Sequence, residues 1–208
     1  MWSRIKDTAL ELEAYILMNE NAINGCEYHN NNNHVEDMYK YLHDTNEPYD
    51  EALDWAILFH DVVYDAQPEK EVRSAELFFK LVKEYRGCNL DTNGIDRVQF
   101  LIMETKTHTV TNEAYLKGSS AIIRADLHAL ANKAETVRNF VKIMNESMSL
   151  YDCNIEEFAE SNIQFMTGLR ERVASNILVD KEHEMFYNEL LVGIDLTIRL
   201  AKAIKDAK

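Results

Sequence analysis

Apolar residues recur at three- and four-residue steps along most of the chain, the spacing of one face of an α-helix. Trp2, Ile5, Ala9, Leu12 and Ile16 mark a first amphipathic segment. The same pattern predicts helices over 34–43, 48–64, 70–86, 92–106, 119–131, 134–150, 155–178 and 180–206. Turn chemistry separates them, with Asn46-Glu47-Pro48 ahead of one helix and Asp91-Thr92-Asn93-Gly94 ahead of another. The fold class expected is all-α. Phe78, Phe140 and Phe158 fall at helical spacing, which assigns them to packing rather than base stacking. Leu191, Ile194, Ile198 and Ala201 share a stripe on the last helix, which either closes the core or offers a subunit interface for a homo-oligomer.

Composition agrees with helices and adds limits. The 208 residues are 46% apolar, enough for one domain with a sizeable core, and 6 glycines and 2 prolines leave few tight turns. No repeat or linker divides residues 1–208. Cys26, Cys88 and Cys153 lie far apart and in no CxxC spacing, which argues against a disulfide framework or a zinc ribbon and suits a reducing, cytoplasmic setting. The N-terminus lacks an uninterrupted apolar run, and no stretch approaches the roughly 20 apolar residues that span a bilayer, so no membrane partner is expected. A formal net charge of -14 repels polyanions and argues against a nucleic-acid polymer. A small phosphorylated ligand remains compatible, because a bound divalent ion offsets acidic groups locally.

Several polar residues interrupt the apolar stripes. In EYHNNNNHVEDM, Asn33 is placed to cap the next helix with Glu36 three residues on, which puts His34 in the first turn. The positive end of a helix disfavours imidazolium, and neutral imidazole is the form that ligates metal, although a capping histidine would look the same. In EALDWAILFHDVVYD, Leu53, Ala56, Ile57 and His60 share a face and Asp61 follows. A hydrogen-bonded pair and a metal site are both open there. Val98, Leu101, Thr105 and His108 repeat the anomaly, and so do Ile123, Asp126, Leu127 and Leu130, with a carboxylate in mid-stripe. Such groups on several helices point to a common site more than to independent accidents. Two apparent motifs drop out, and three common ones are absent. His183-Glu184 lacks the second histidine of HExxH, Tyr187 standing in its place; His43-Asp44 reads as a helix end; and there is no GxxxxGK[ST], GxGxxG or GxSxG.

The order His34, His60-Asp61, Asp126, within YHNNNNHV, AILFHDVVYD, EVRSAE, ETKTH and ADL, resembles the HD superfamily of metal-dependent phosphohydrolases, over about residues 28–170. The resemblance implies an all-helical HD-domain bundle with a central metal-binding cleft. Its metal-site core would span about 28–130, and helices over about 134–206 would complete it. It further implies His34, His60, Asp61 and Asp126 as ligands of a divalent ion, with His60 and Asp61 at the catalytic centre and Asp61 able to bridge to a second ion. His108 would serve that second ion or phosphate, and His29 would bind substrate or support the loop carrying His34. Lys106 and Arg73 are the first candidates for contacting phosphate, followed by Arg124, Arg138 and Arg170. Arg124 before Ala125-Asp126, and Lys70-Glu71 where the family usually has asparagine-glutamate, depart from the pattern and bear on substrate choice.

The function expected is hydrolysis of a nucleotide or another small phosphate ester by metal-activated water. Manganese, iron, cobalt, nickel, zinc and magnesium are not distinguished. The alternatives are a di-iron oxygenase on the same scaffold and a metal-retaining interaction protein without hydrolase activity.

Overall fold

The computed structural model describes Ile5 and residues 8–23, 28–29, 34–85 and 90–207. Among these it is all-helical: α1 (Thr8–Ile23), α2 (Glu36–Asp44), α3 (Glu51–Phe59), α4 (Lys70–Glu84), α5 (Thr92–Thr107), α6 (Leu116–Ala131), α7 (Lys133–Tyr151), α8 (Ile155–Val179) and α9 (Glu184–Asp206), with 3-10 turns at Glu113–Tyr115 and Lys181–His183. None of the helices is long and apolar enough to cross a membrane. Trp2, Asn33, Cys26 and Cys88 lie outside the described residues.

The shortest apolar helix sits at the centre. Every residue of α3 from Ala52 to Phe59 is buried, and it packs against α1, α4, α5 and α6. A helix whose faces are all buried in this way is stable only when surrounded, and Asp54 is its one fully buried charge. Trp55, Phe59 and Phe78 form its aromatic contact with α4, the Phe59 and Phe78 rings meeting edge-on at 5.1 Å. A smaller apolar cluster around Phe140, Phe158 and Ala201 joins α7, α8 and α9. Arg170 pairs with Asp195 and Lys205 with Glu160, so α9 runs back along α8. On α9, Ile194 and Ala201 are buried, and Leu191 and Ile198 pack on the core. The predicted stripe therefore closes the core.

Three expectations need correction. On α1 the buried apolar residues are Leu10, Ala14 and Met18, with Glu11 buried beside them, while Leu12 and Ile16 are 59% and 46% exposed; the segment carries apolar residues around much of its circumference, and packing selected another face. The 48–64 segment is helical only from Glu51 to Phe59. Asp50 starts it by accepting from the Ala52 and Leu53 amides at 3.1 and 3.3 Å, and is itself held by Arg97. Finally, residues 181–183 form a separate turn before α9, because Asp180 ends α8 and engages side chains of its own.

Asp180 accepts from Ser120 on α6, from the Tyr187 hydroxyl at 3.0 Å and from His183 Nδ1 at 2.8 Å. Arg124 continues the network, donating to Ser120 Oγ at 3.1 Å and to Glu47 at 2.9 Å. Burial would raise the Asp180 pKa, yet the Ser120, His183 and Tyr187 donors hold it below the ordinary value. Its stabilisation is therefore present in full above the ordinary aspartate pKa and is lost as pH falls below it. Denaturant titrations between about pH 6 and pH 3 should show a shallower acid loss for Asp180→Asn than for the wild type; equal slopes would contradict this. A second prediction concerns Gly193, where an added Cβ would lie 1.6 Å from the Leu130 carbonyl oxygen. Backbone cannot yield as a side chain can, so Gly193→Ala should destabilise by about 3 kcal/mol in thermal or urea unfolding. A change below about 0.5 kcal/mol would show that α6 and α9 separate freely.

Candidate metal centre

Four donors from three segments converge beside the end of α3. His34 comes from a single π-turn before α2, whose stripe Val35, Met38, Tyr39 and Leu42 is buried and turns the imidazole inward. His60 caps the C-terminus of α3 and keeps helical dihedrals, φ -59 and ψ -37. Its Nδ1 donates to the Ile57 carbonyl at 2.8 Å, which leaves Nε2 as the nitrogen turned towards the cluster. Asp61 follows on the connecting loop, and Asp126 projects from α6.

The distances match a coordination sphere. His34 Nε2 lies 3.2 Å from His60 Nε2, 2.9 Å from Asp126 Oδ1 and 4.0 Å from Asp61 Oδ2. His60 Nε2 lies 3.3 Å from Asp61 Oδ2 and 3.8 Å from Asp126 Oδ1. An ion about 2.1 Å from each donor spaces neighbours at about 3.0 to 3.4 Å and opposite donors at about 4.2 Å. His34, His60 and Asp61 thus form a group that could hold a metal ion, and Asp126 Oδ1 lies beside both imidazoles. His34 and His60 are buried, whereas the Asp61 and Asp126 side chains retain 13% and 12% exposure. Of the four, the two carboxylates are the more exposed.

The electrostatics favour positive charge here. Burial alone would lower the His60 pKa, but the Asp61 carboxylate, reinforced by Asp126, lifts it to about 9. Burial would likewise raise Asp61 and Asp126, yet the surrounding imidazoles hold both well below the ordinary carboxylate range.

His108 joins the cluster through Nε2, 3.0 Å from Asp126 Oδ2. It caps α5 in the left-handed region, φ 51 and ψ 38, a conformation that costs a non-glycine residue about 1–3 kcal/mol and needs external support. His29 lies against the cluster, its ring 5.6 Å from that of His34 and stacked on Tyr64 at 4.2 Å. Glu146 of α7, 2% exposed, holds it in place: the carboxylate meets His29 Nδ1 at 2.5 Å and accepts the Tyr28 amide at 2.7 Å.

The other cations are engaged elsewhere. Arg73 forks onto Asp65 at 2.9 and 2.5 Å and also donates to the Gln67 and Pro68 carbonyls, while Lys106 pairs with Glu69. Both thereby brace the loop that leads from Asp61 to α4. Arg124 belongs to the buried Asp180 network, Arg138 pairs with Glu135 and Arg170 with Asp195. His43 and Asp44 are exposed at the end of α2, as expected, and His183 is bound to Asp180. An open depression along Lys181, Met185, Asn188 and Val192 contains none of the metal-site residues.

Sequence reasoning missed Glu146 and Asn176. Each was visible by the same criterion that found Asp126. Glu146 is three residues beyond Ile143 on the face of α7 that buries Phe140, and Asn176 continues the buried stripe Leu169, Val173 on α8. Compared with family models, with curated proteins and with solved structures, the chain matches none of them, so the reading of this centre rests on its own residues.

Proposed function

We propose that this protein is a metal-dependent phosphohydrolase of the HD type, acting on a nucleotide or another small phosphate ester. The convergence of His34, His60, Asp61 and Asp126, arriving in the order H…HD…D, carries this reading. These four residues would hold the divalent ion. When bound, such an ion lowers the pKa of a water molecule and offsets charge on a phosphoryl oxygen.

The remaining work falls to the chain. Mixed imidazole and carboxylate donors suit manganese, iron, cobalt, nickel or zinc better than magnesium. The partly exposed edges of Asp61 and Asp126 define where water and phosphate approach. His108, across the Asp126 carboxylate, is placed to serve a second ion or a phosphoryl oxygen. With Nδ1 committed to Glu146, His29 has Nε2 left to meet the substrate. Lys70 lies next to this group, its ammonium 3.7 Å above the Tyr64 ring and bonded to the Tyr151 hydroxyl at 2.9 Å. It occupies the position where the sequence departs from the HD pattern, so substrate choice is set partly here. The net charge of -14 favours a small phosphate ester over a polymer.

A metal-retaining interaction protein is the second reading. It is favoured by Leu178 and Met185, 74% and 78% exposed on either side of the turn between α8 and α9. Elemental analysis of the purified protein, coupled to phosphate release from a nucleotide panel with added manganese, cobalt, nickel or magnesium, separates the two. Near-stoichiometric transition metal with turnover of one nucleotide class is expected. Metal without turnover on any ester would favour the second reading. Asp61→Ala should lose bound metal and lower turnover by more than about 100-fold with its circular dichroism retained, while His183→Ala keeps both. Unchanged metal content in Asp61→Ala would overturn the site.

A further inference from the structure

We infer that Asn176, on α8, is a positioning residue of the metal centre: it clamps the backbone of His108 so that the His108 ring orients the Asp126 carboxylate. This rests on the metal-site reading above.

Asn176 is fully buried in the last turn of α8 and uses both ends of its amide on one short loop. Nδ2 donates to the His108 carbonyl at 2.8 Å, and Oδ1 accepts the Val110 amide at 3.1 Å. The two bonds grip the chain on either side of Thr109. Between them the backbone takes the left-handed turn at His108, a conformation uncommon outside glycine, although histidine tolerates it better than most residues, and the two bonds fix it there. Glu104 holds the same loop further on, accepting from the Thr111 amide and hydroxyl at 3.2 and 2.5 Å.

The His108 ring itself has little else to locate it. Its buried Nδ1 has no hydrogen-bond partner, so one bond, Nε2 to Asp126 Oδ2, must be matched by the direction in which the backbone presents the ring. That bond occupies Oδ2 and leaves Oδ1 to His34 and His60, at 2.9 and 3.8 Å. Asn176 therefore acts on the carboxylate through His108. The frame is rigid on the other side as well: Asp180, one turn beyond Asn176, is bonded to Ser120 on α6, the helix that carries Asp126. Outer hydrogen bonds of this kind orient ligands and tune metal affinity by roughly 10- to 100-fold.

A double-mutant cycle read by Co(II) titration and its visible absorption tests the chain of contacts. Asn176→Ala and His108→Ala should each weaken Co(II) binding about 10-fold and shift the absorption in the same way. The double variant should bind no more weakly than His108→Ala alone. Thr111→Val, which removes a hydroxyl bond from the same loop without touching the His108 carbonyl, should keep wild-type affinity. Asn176→Asp keeps the acceptor for Val110 but replaces the donor to His108, and supplies the same measurement should the alanine variant not fold. Additive losses in the double variant would overturn the inference. So would an Asn176 variant that is less stable but has wild-type Co(II) affinity and spectrum. Failure of the wild-type protein to bind Co(II) would instead overturn the metal-site reading itself.

Discussion

The carboxylate of Asp126 is the point on which the centre turns. One oxygen faces His34 and His60 and the other faces His108. A carboxylate so enclosed is tolerable only if it stays charged and fully engaged, since desolvation would otherwise push it towards neutrality. Three imidazoles from separate segments meet that demand, and in doing so they register α2, α3, α5 and α6 against one another. The polar centre is therefore also a geometric constraint on the packing.

The apolar helix α3 is the other half of the arrangement. Because no side of it faces water, it sets the middle of the molecule, and its C-terminus must emerge inside the protein rather than on the surface. His60 stands at that emergence. The Ile57 carbonyl, freed by the end of the helix, takes the imidazole Nδ1 and so aims the other nitrogen. The local end of a helix and the chemistry of the ligand are one event.

Most of the helices could be read from periodicity, and so could the residues that break it. His60, His108 and Asp126 stood out as polar groups on apolar stripes, and the structure brings them together. Where the reading failed, the missing information was tertiary. The first helix carries apolar residues all round, so spacing alone could not choose Leu10, Ala14 and Met18 over Leu12 and Ile16. The end of α3 at Phe59 has no glycine or proline to announce it. Nor does anything local mark the left-handed turn at His108, because its support comes from an asparagine 68 residues away. Arg73 and Lys106 were legible as cations but not as loop braces, since their acidic partners are set by the fold.

The donors of the centre are spread from His34 to Asp126, and their supports extend to Glu146 and Asn176 on α7 and α8. No short contiguous fragment contains them. An unfolded or half-assembled chain therefore offers an ion only isolated histidines and carboxylates, and tight capture must await long-range closure of nearly the whole topology. An ion bound there would draw on the global folding equilibrium, adding RT ln(1 + [L]/Kd) to the stability of the complete molecule. In a cell, the supply of such an ion would then bear on how much of this chain persists folded.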